Sequence, residues 1–469
     1  MEKIAELIHK IDNLIWGPWM LFLLLGTGCY LMLRLRFLPL KKMKYALLCT
    51  IGRENADADQ SRGEGNRSEK REGKTGVSSF SALTTELAAT IGTGNIVGVA
   101  TAMVLGGPGA LFWMMISSLI GMATKLTEST LAVKYRSVND KGEMVGGPMY
   151  TLRKAFPNRK LGQLLGTLFA LFAVLASFGM GNMTQSNSIA DALYVAFSVP
   201  RAKTGLVVSV ITILVVLGGI KSISKVTQIM VPLMGIFYML GTLLVIVTHL
   251  ENVPSGIWHI VSMAFCPEAV TGGILGNITV SMQESLRFGV SRGVFSNEAG
   301  LGAGGISAAS ADTKDYVRQG YISMTSIFID TIVICSVTGL ALAASGVLGT
   351  LDANGELLTG TALTIAVYET TFGEWGAIFL SICITLFAFA TIMGWAYQGE
   401  KAFEFLVGKS KYCIWYRFCY GLVAFVGTVC SLEVVWEFSD ICNGLMAVPN
   451  LICVLVLSGE VCKEIRDRG

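Results

Sequence analysis

Charge is scarce in this chain. Asp, Glu, Lys and Arg make up 15% of its 469 residues, where a soluble domain carries about 25%. Much of its surface therefore faces something other than water. The net charge is only +3, which gives no basic footprint for a nucleic acid. Histidine is scarcer still. His9, His249 and His259 stand far apart, whereas a metal site needs several convergent ligands. The eleven cysteines contain no CxxC pair and no His/Cys cluster, which excludes a zinc framework and gives no disulfide pattern. No G-x-x-x-x-G-K-[ST] loop is present, so any energy input comes from an ion gradient and not from ATP. The amphipathic start, MEKIAELIHKIDNLI, is followed by no A-x-A site, so no cleavable signal peptide is expected.

Apolar residues and glycine are what the chain has in quantity. Hydrophobic residues make up 52%, and there are 53 Gly. Small residues let membrane helices approach closely. A span needs about 20 apolar residues, and eleven stretches qualify: 15–36, 79–104, 110–133, 162–186, 204–220, 227–248, 271–290, 317–345, 375–398, 412–431 and 438–458. The expected fold is all-α and integral to the membrane. Alternate connections and the C-terminal tail hold 31 Lys and Arg. The other side holds four, and Lys125 lies inside a span. Positive residues stay in the cytoplasm, which predicts an outside N-terminus and a cytoplasmic C-terminus in the inner (plasma) membrane. Residues 53–75 are polar, of mixed charge and without apolar period, and read as a flexible linker. The expected divisions are an amphipathic segment with one extra helix (1–37), the linker region (38–78), two five-helix units (79–250 and 251–460) and a tail (461–469). Spans 2–6 and 7–11 start on opposite sides, as an inverted-repeat transporter requires.

The stretch Ala88-Ala89-Thr90-Ile91-Gly92-Thr93-Gly94-Asn95-Ile96-Val97-Gly98 lies in the middle of span 2. Gly, Thr and Asn are poor helix formers there. A break at this depth is tolerated where freed backbone groups line a cavity. Its N–H end suits a carboxylate, and its C=O end suits Na⁺ or an ammonium. A small-residue packing seam is the other reading, since Gly94 to Gly98 is a GxxxG. A dinucleotide loop is excluded, because the spacing lacks G-x-G-x-x-G and no βαβ unit surrounds it.

Several stretches together resemble one family, the alanine-or-glycine:cation symporters, or sodium:alanine symporter family. They are LAATIGTGNIVGVATA (87–102), GGPGALFWMMISSLIGMATKLTESTLAVKYR (106–136), GGPMY (146–150), GMGNMTQSNSIADAL (179–193), LGGIKSI (217–223), RFGVSRGVFSNEAGLG (287–302), FIDT (328–331) and FAFATIMGWAYQGEK (387–401). The resemblance implies eleven helices, with a leucine-transporter-type core of five plus five inverted helices and broken helices 2 and 7. It also implies symport of alanine or glycine with Na⁺ as the coupling ion. Substrate would lie between spans 2, 4, 7 and 9. Gly92, Thr93, Gly94 and Asn95 would meet its carboxylate, with Gln185 on span 4, and Gly276 and Gln283 near the span 7 break. The Na⁺ site would draw on the carbonyls of Ala88 and Ile91 and the hydroxyl of Thr391, with Thr385 as an alternative. The chain departs from the family pattern at Ala303-Gly304-Gly305, at Gln398 and at Glu86, all toward the cytoplasmic side.

Two further charges, Lys125 in span 3 and Asp330 in span 8, lie inside spans. Intramembrane charges cost about 2.5–3.5 kcal/mol and are functional candidates. These spans are symmetry counterparts in the implied fold, so the two are expected to be able to meet. Glu298 either caps a helix or latches an inner gate. The competing functions are a proton-coupled or differently specific transporter of the same fold, a membrane enzyme and a channel. An enzyme needs a nucleophile–base pair or metal cluster in the spans, and none is visible.

Overall fold

The computed structural model describes residues 2–52, 76–266, 268–270, 279–352, 355–430 and 433–468. Helices dominate these residues. The strands among them form two short antiparallel ribbons, Ser137–Val138 with Met144–Val145 and Glu268–Val270 with Thr279–Ser281. Among the described residues, seven helices are long and apolar enough to cross a membrane: Gly109–Lys134, Arg159–Phe197, Gly219–Thr248, Tyr316–Ala344, Trp375–Val407, Ser410–Val429 and Ser439–Arg468. Pro18–Arg34 is a shorter apolar helix.

Two further helices are interrupted. Ser79–Thr90 starts at Ser78, whose hydroxyl accepts the Ser81 N–H at 3.0 Å. It stops at Ile91 and Gly92, which are extended. A single 3₁₀ turn, Thr93–Asn95, leads into Val97–Leu105. The sequence offered a packing seam as the other reading of Gly94 and Gly98. The helix breaks there instead, and a methyl group on Gly98 would meet only the Thr93 carbonyl, at 4.0 Å.

The second interruption corrects the sequence reading. The apolar run at 271–290 placed span 7 too early. The helix is Met282–Asn297, opened by a capping box in which Ser281 and Glu284 satisfy each other's backbone N–H groups. It ends at Glu298 (φ 56°), Gly300 (φ 85°) and Gly302 (φ 85°), and resumes as Ala303–Ala308. Positive φ is easy for the two glycines and strained for a glutamate. Gly276 lies outside the described residues. Gln283 is exposed in the first turn of the helix, more than ten residues before the break. A hydropathy window weighs apolar content and ignores the S-x-x-E cap, which is why it misplaced the start.

Helix packing relies on missing side chains, as it must where lipid is as apolar as the helices. A methyl group on Gly394 would lie 2.4 Å from the Ala89 backbone nitrogen, so Trp375–Val407 and Ser79–Thr90 touch main chain to main chain. Gly181 admits the Trp395 indole in the same way. Two long helices each contain a wide π-helical turn, Gly179–Met183 and Phe328–Cys335.

One end of the bundle is tied shut by polar bonds. Val77 pairs with Ser310 and Asp312 through two backbone hydrogen bonds of 3.1 and 2.7 Å. Arg136 donates to the carbonyls of Ala309 (3.3 Å), Ala311 (2.5 Å) and Thr313. Lys401 binds Glu143 at 2.7 Å and Glu404 at 2.8 Å, and Asn139 joins Glu404.

Candidate functional site

The first interruption is where the polar groups converge. A continuous helix would give the Gly92 N–H to the Ala88 carbonyl. Here it goes to the Asn95 side-chain oxygen at 2.9 Å, while the Asn95 N–H returns to the Gly92 carbonyl at 3.2 Å. The Ala88 carbonyl is left without its helical donor. The Thr93 and Gly94 N–H groups have no hydrogen-bond partner among the described residues. The turn therefore offers two adjacent amides and, on its other side, freed carbonyls.

Side chains from two long helices close on this turn. The Thr93 hydroxyl donates to the Gln185 side-chain oxygen at 3.1 Å. Gln185 follows the Gly179–Met183 wide turn and donates back to the Met180 carbonyl at 3.2 Å. The Thr391 hydroxyl lies 3.4 Å from the Ile91 carbonyl and 3.2 Å from that of Phe387. Gly92 is where these groups meet: a methyl group there would lie 2.3 Å from the Thr391 hydroxyl and 3.5 Å from Gln185. Thr93, Asn95, Gln185 and Thr391 are all buried. Of the residues singled out from the sequence, the fold brings together Gly92, Thr93, Gly94, Asn95, Gln185, Ile91 and Thr391, with Ala88 one turn back. It does not bring in Gln283. Thr385 donates to the Ser381 carbonyl within its own helix, at 2.8 Å.

Asn95 also faces the other way. Its side-chain amide donates to the Asp330 carboxylate at 2.7 Å and the Asp330 carbonyl at 3.2 Å. Ser296 and Thr331 donate to the other carboxylate oxygen at 2.9 and 2.7 Å. Asp330 thus ties the first break to the helix that leads into the second, and Asn297 bonds Ser118 and Thr331. Lys125 does not meet Asp330. It pairs with Glu86 at 3.1 Å, with Glu128 at 3.9 Å. The two helices face each other as the implied symmetry suggests, but Lys125 is held by the Glu86 carboxylate that the sequence reading treated only as a departure. Ser296 and Thr331 lay in the motifs FSNEAG and FIDT, yet nothing in their spacing pointed to Asp330.

Phe295 borders the turn: a methyl group on Gly94 would lie 3.4 Å from its ring. Phe295 also lines a cavity with Asp12, Trp16, Arg287, Arg292 and Asp440. No group of three or more His, Cys, Asp or Glu arranged for a metal occurs among the described residues. The site's donors are neutral oxygens and amides, which suit a weakly held hard cation and a zwitterion rather than a transition metal.

Comparison with known proteins identifies the assembly. The profile of the sodium:alanine symporter family matches residues 1–468. The sodium/alanine symporter AgcS of Methanococcus maripaludis is 46% identical over 98% of this chain and 96% of its own length. The probable sodium/glutamine symporter GlnT of Bacillus subtilis is 36% identical over 100% of this chain and 91% of its own. Among solved structures, MhsT in complex with L-phenylalanine covers 84% of this chain and 93% of its own at a TM-score of 0.55. At 13% identity that likeness speaks for the leucine-transporter-like fold alone. A family profile that runs almost end to end, over a fold with an interrupted helix at its centre, leaves one assignment: the chain belongs to the sodium:alanine symporter family, membrane transporters of amino acids rather than enzymes.

Proposed function

We propose that the protein is a Na⁺-coupled symporter that carries a small neutral amino acid, alanine or glycine, into the cell by alternating access. The observation that supports it best is the turn at Gly92–Asn95, where free amides and freed carbonyls stand back to back. In this reading the Thr93 and Gly94 amides take the substrate carboxylate, and Gln185, bonded to Thr93, borders the substrate side chain. Na⁺ lies among the Ala88 and Ile91 carbonyls and the Thr391 hydroxyl. The close fit of Gly92 against Thr391 and Gln185 leaves little space at the turn, which favours alanine or glycine over larger residues. Names among the relatives span alanine and glutamine, so preference rests on this chain's own pocket.

The proposal extends to architecture. Four stretches beyond the seven long helices complete eleven spans: Pro18–Arg34, Arg201–Leu217 and the two interrupted helices. The units 79–250 and 251–460 form the two inverted repeats, flanked by 1–37, 38–78 and 461–469. The shifted span 7 carries Arg287 and Arg292 away from the loop after it, so 29 of the 31 Lys and Arg remain on the cytoplasmic side. Uptake of labelled alanine and glycine into proteoliposomes, with and without an inward Na⁺ gradient, tests the reading. Uptake that follows a Na⁺ gradient supports it. Uptake driven by a pH gradient with no Na⁺ present establishes the proton-coupled alternative and sinks this one.

A further inference from the structure

Behind the second break lies a group of charges that substrate and Na⁺ binding leave unused. Glu86, Lys125, Glu128 and Glu298 come from three elements and are all buried. They hold three carboxylates against one ammonium. Lys125 pairs with Glu86 at 3.1 Å and lies 3.9 Å from Glu128. Glu86 also accepts from Ser323 at 2.8 Å and Ser326 at 3.1 Å. Glu128 accepts from Asn450 at 2.9 Å. The Lys125–Glu86 pair closes over Gly304, just past the break, where a methyl group would lie 2.2 Å from the Lys125 nitrogen and 2.7 Å from Glu86.

Glu298 is treated differently. It is fully buried, and neither carboxylate oxygen has a hydrogen-bond partner among the described residues. The charged groups that act on it are Lys125 and Glu128 on Gly109–Lys134, Glu86 on Ser79–Thr90 and Asp330 on the Phe328–Cys335 turn. One is positive and three are negative, and the positive one is already engaged. A carboxylate buried without donors or a cation of its own takes a proton rather than stay charged. Glu298 also stands at φ 56°, at the C-terminal end of Met282–Asn297, so any movement of this break moves its carboxyl group.

We propose that Glu298 is a proton-binding site, which holds a proton in this closed arrangement and exchanges it with water when the second break opens. The O–H bond forms with a proton from water when the break closes and is lost to water when it opens. The inference rests on the alternating access of the proposed function, but its primary test does not depend on the substrate.

That test is infrared difference spectroscopy of the purified full-length protein in lipid bilayers, without amino acid. A protonated carboxyl group has a carbonyl stretch separate from those of carboxylates and amides. The expected result is an acid band at neutral pH that disappears in Glu298→Gln and persists in Asp330→Asn. Glu298→Asp, which keeps the acid, retains a shifted band and serves if the Gln variant does not fold. A wild-type protein with no acid band overturns the proposal. So does a band undiminished in Glu298→Gln, or one lost only in Asp330→Asn. A second arm follows proton uptake with a pH-sensitive dye as alanine is added with Na⁺. A wild-type signal that falls to background in Glu298→Gln supports the role in the cycle, and an equal signal in both refutes it. A Na⁺ ion in place of the proton is revealed by loss of ²²Na⁺ binding in Glu298→Gln with no acid band in the wild type, and it overturns the assignment. Failure of alanine to bind the wild type counts against the proposed substrate and leaves the infrared result standing.

Discussion

Asn95 does two jobs with one amide group. Its oxygen holds the Gly92 N–H and its nitrogen holds Asp330, so it shapes the turn rather than facing its open side. Asn95→Ala removes a bond to a charged group worth roughly 1.5–3 kcal/mol. We expect alanine and glycine binding to fall together, on the order of ten- to a hundredfold. Equilibrium binding to purified protein measures both, and loss of one ligand alone would refute the assignment. Gln185→Ala should instead change the ratio between the two ligands. Gln283→Ala should change neither, because that side chain is exposed away from the turn. For the cation, Thr391→Ala should raise the Na⁺ concentration for half-maximal uptake while leaving substrate preference in place. An unchanged Na⁺ dependence would move the ion elsewhere. Gly92→Ala should have the stronger effect on both, since its methyl group would occupy the point where Thr391 and Gln185 meet. The first turn was legible in the sequence because Gly92, Thr93 and Gly94 are poor helix formers in an apolar surround. The partners of Lys125 and Asp330 were not. Which carboxylate meets which ammonium depends on helix rotation, and spacing along one chain does not fix it.

The interrupted helices show where local signals outweigh hydropathy. The apolar run at 271–290 suggested one start for span 7, and the Ser281–Glu284 box sets another. Its break follows from Gly300 and Gly302, two glycines in the motif NEAGLG that take positive φ. Both facts were written in the residues, but in the cap and the turn, which a twenty-residue average erases. Beyond this break, Arg136 gathers three carbonyls from the segment after Ala303–Ala308. The Val77 bridge to Ser310 and Asp312 fastens the ends of the two interrupted helices to each other, and Arg136 ties the end of Gly109–Lys134 to the same segment. Arg136→Ala removes the clamp without touching the turn at Gly92. It should favour the arrangement open at this end, raising the reactivity of a cysteine introduced at Ser310 toward a membrane-impermeant thiol reagent. Unchanged labelling of that cysteine would show that the clamp does not hold this end closed.

Across the whole molecule, charge sets the expected orientation. With 29 Lys and Arg on one side of the eleven proposed spans, the N-terminus is expected outside and the C-terminus in the cytoplasm. Tags at both ends, probed on intact cells, check this, and two tags on the same side would be incompatible with eleven spans. The long helices were legible because their apolar runs exceed the bilayer thickness. Their wide turns were not, since a π turn has no composition of its own. Those turns have a mechanical consequence. Gly179–Met183 and Phe328–Cys335 each hold more residues per turn than an α-helix, and each is linked to a residue that touches the first break: Gln185 follows the first, and Asp330 lies within the second. If one surplus residue were drawn into the α-helix, the helix beyond it would turn by about 100° and advance by about 1.5 Å. Such a change would swing the polar contact of that helix toward or away from the break, so the wide turns store the thread of a screw.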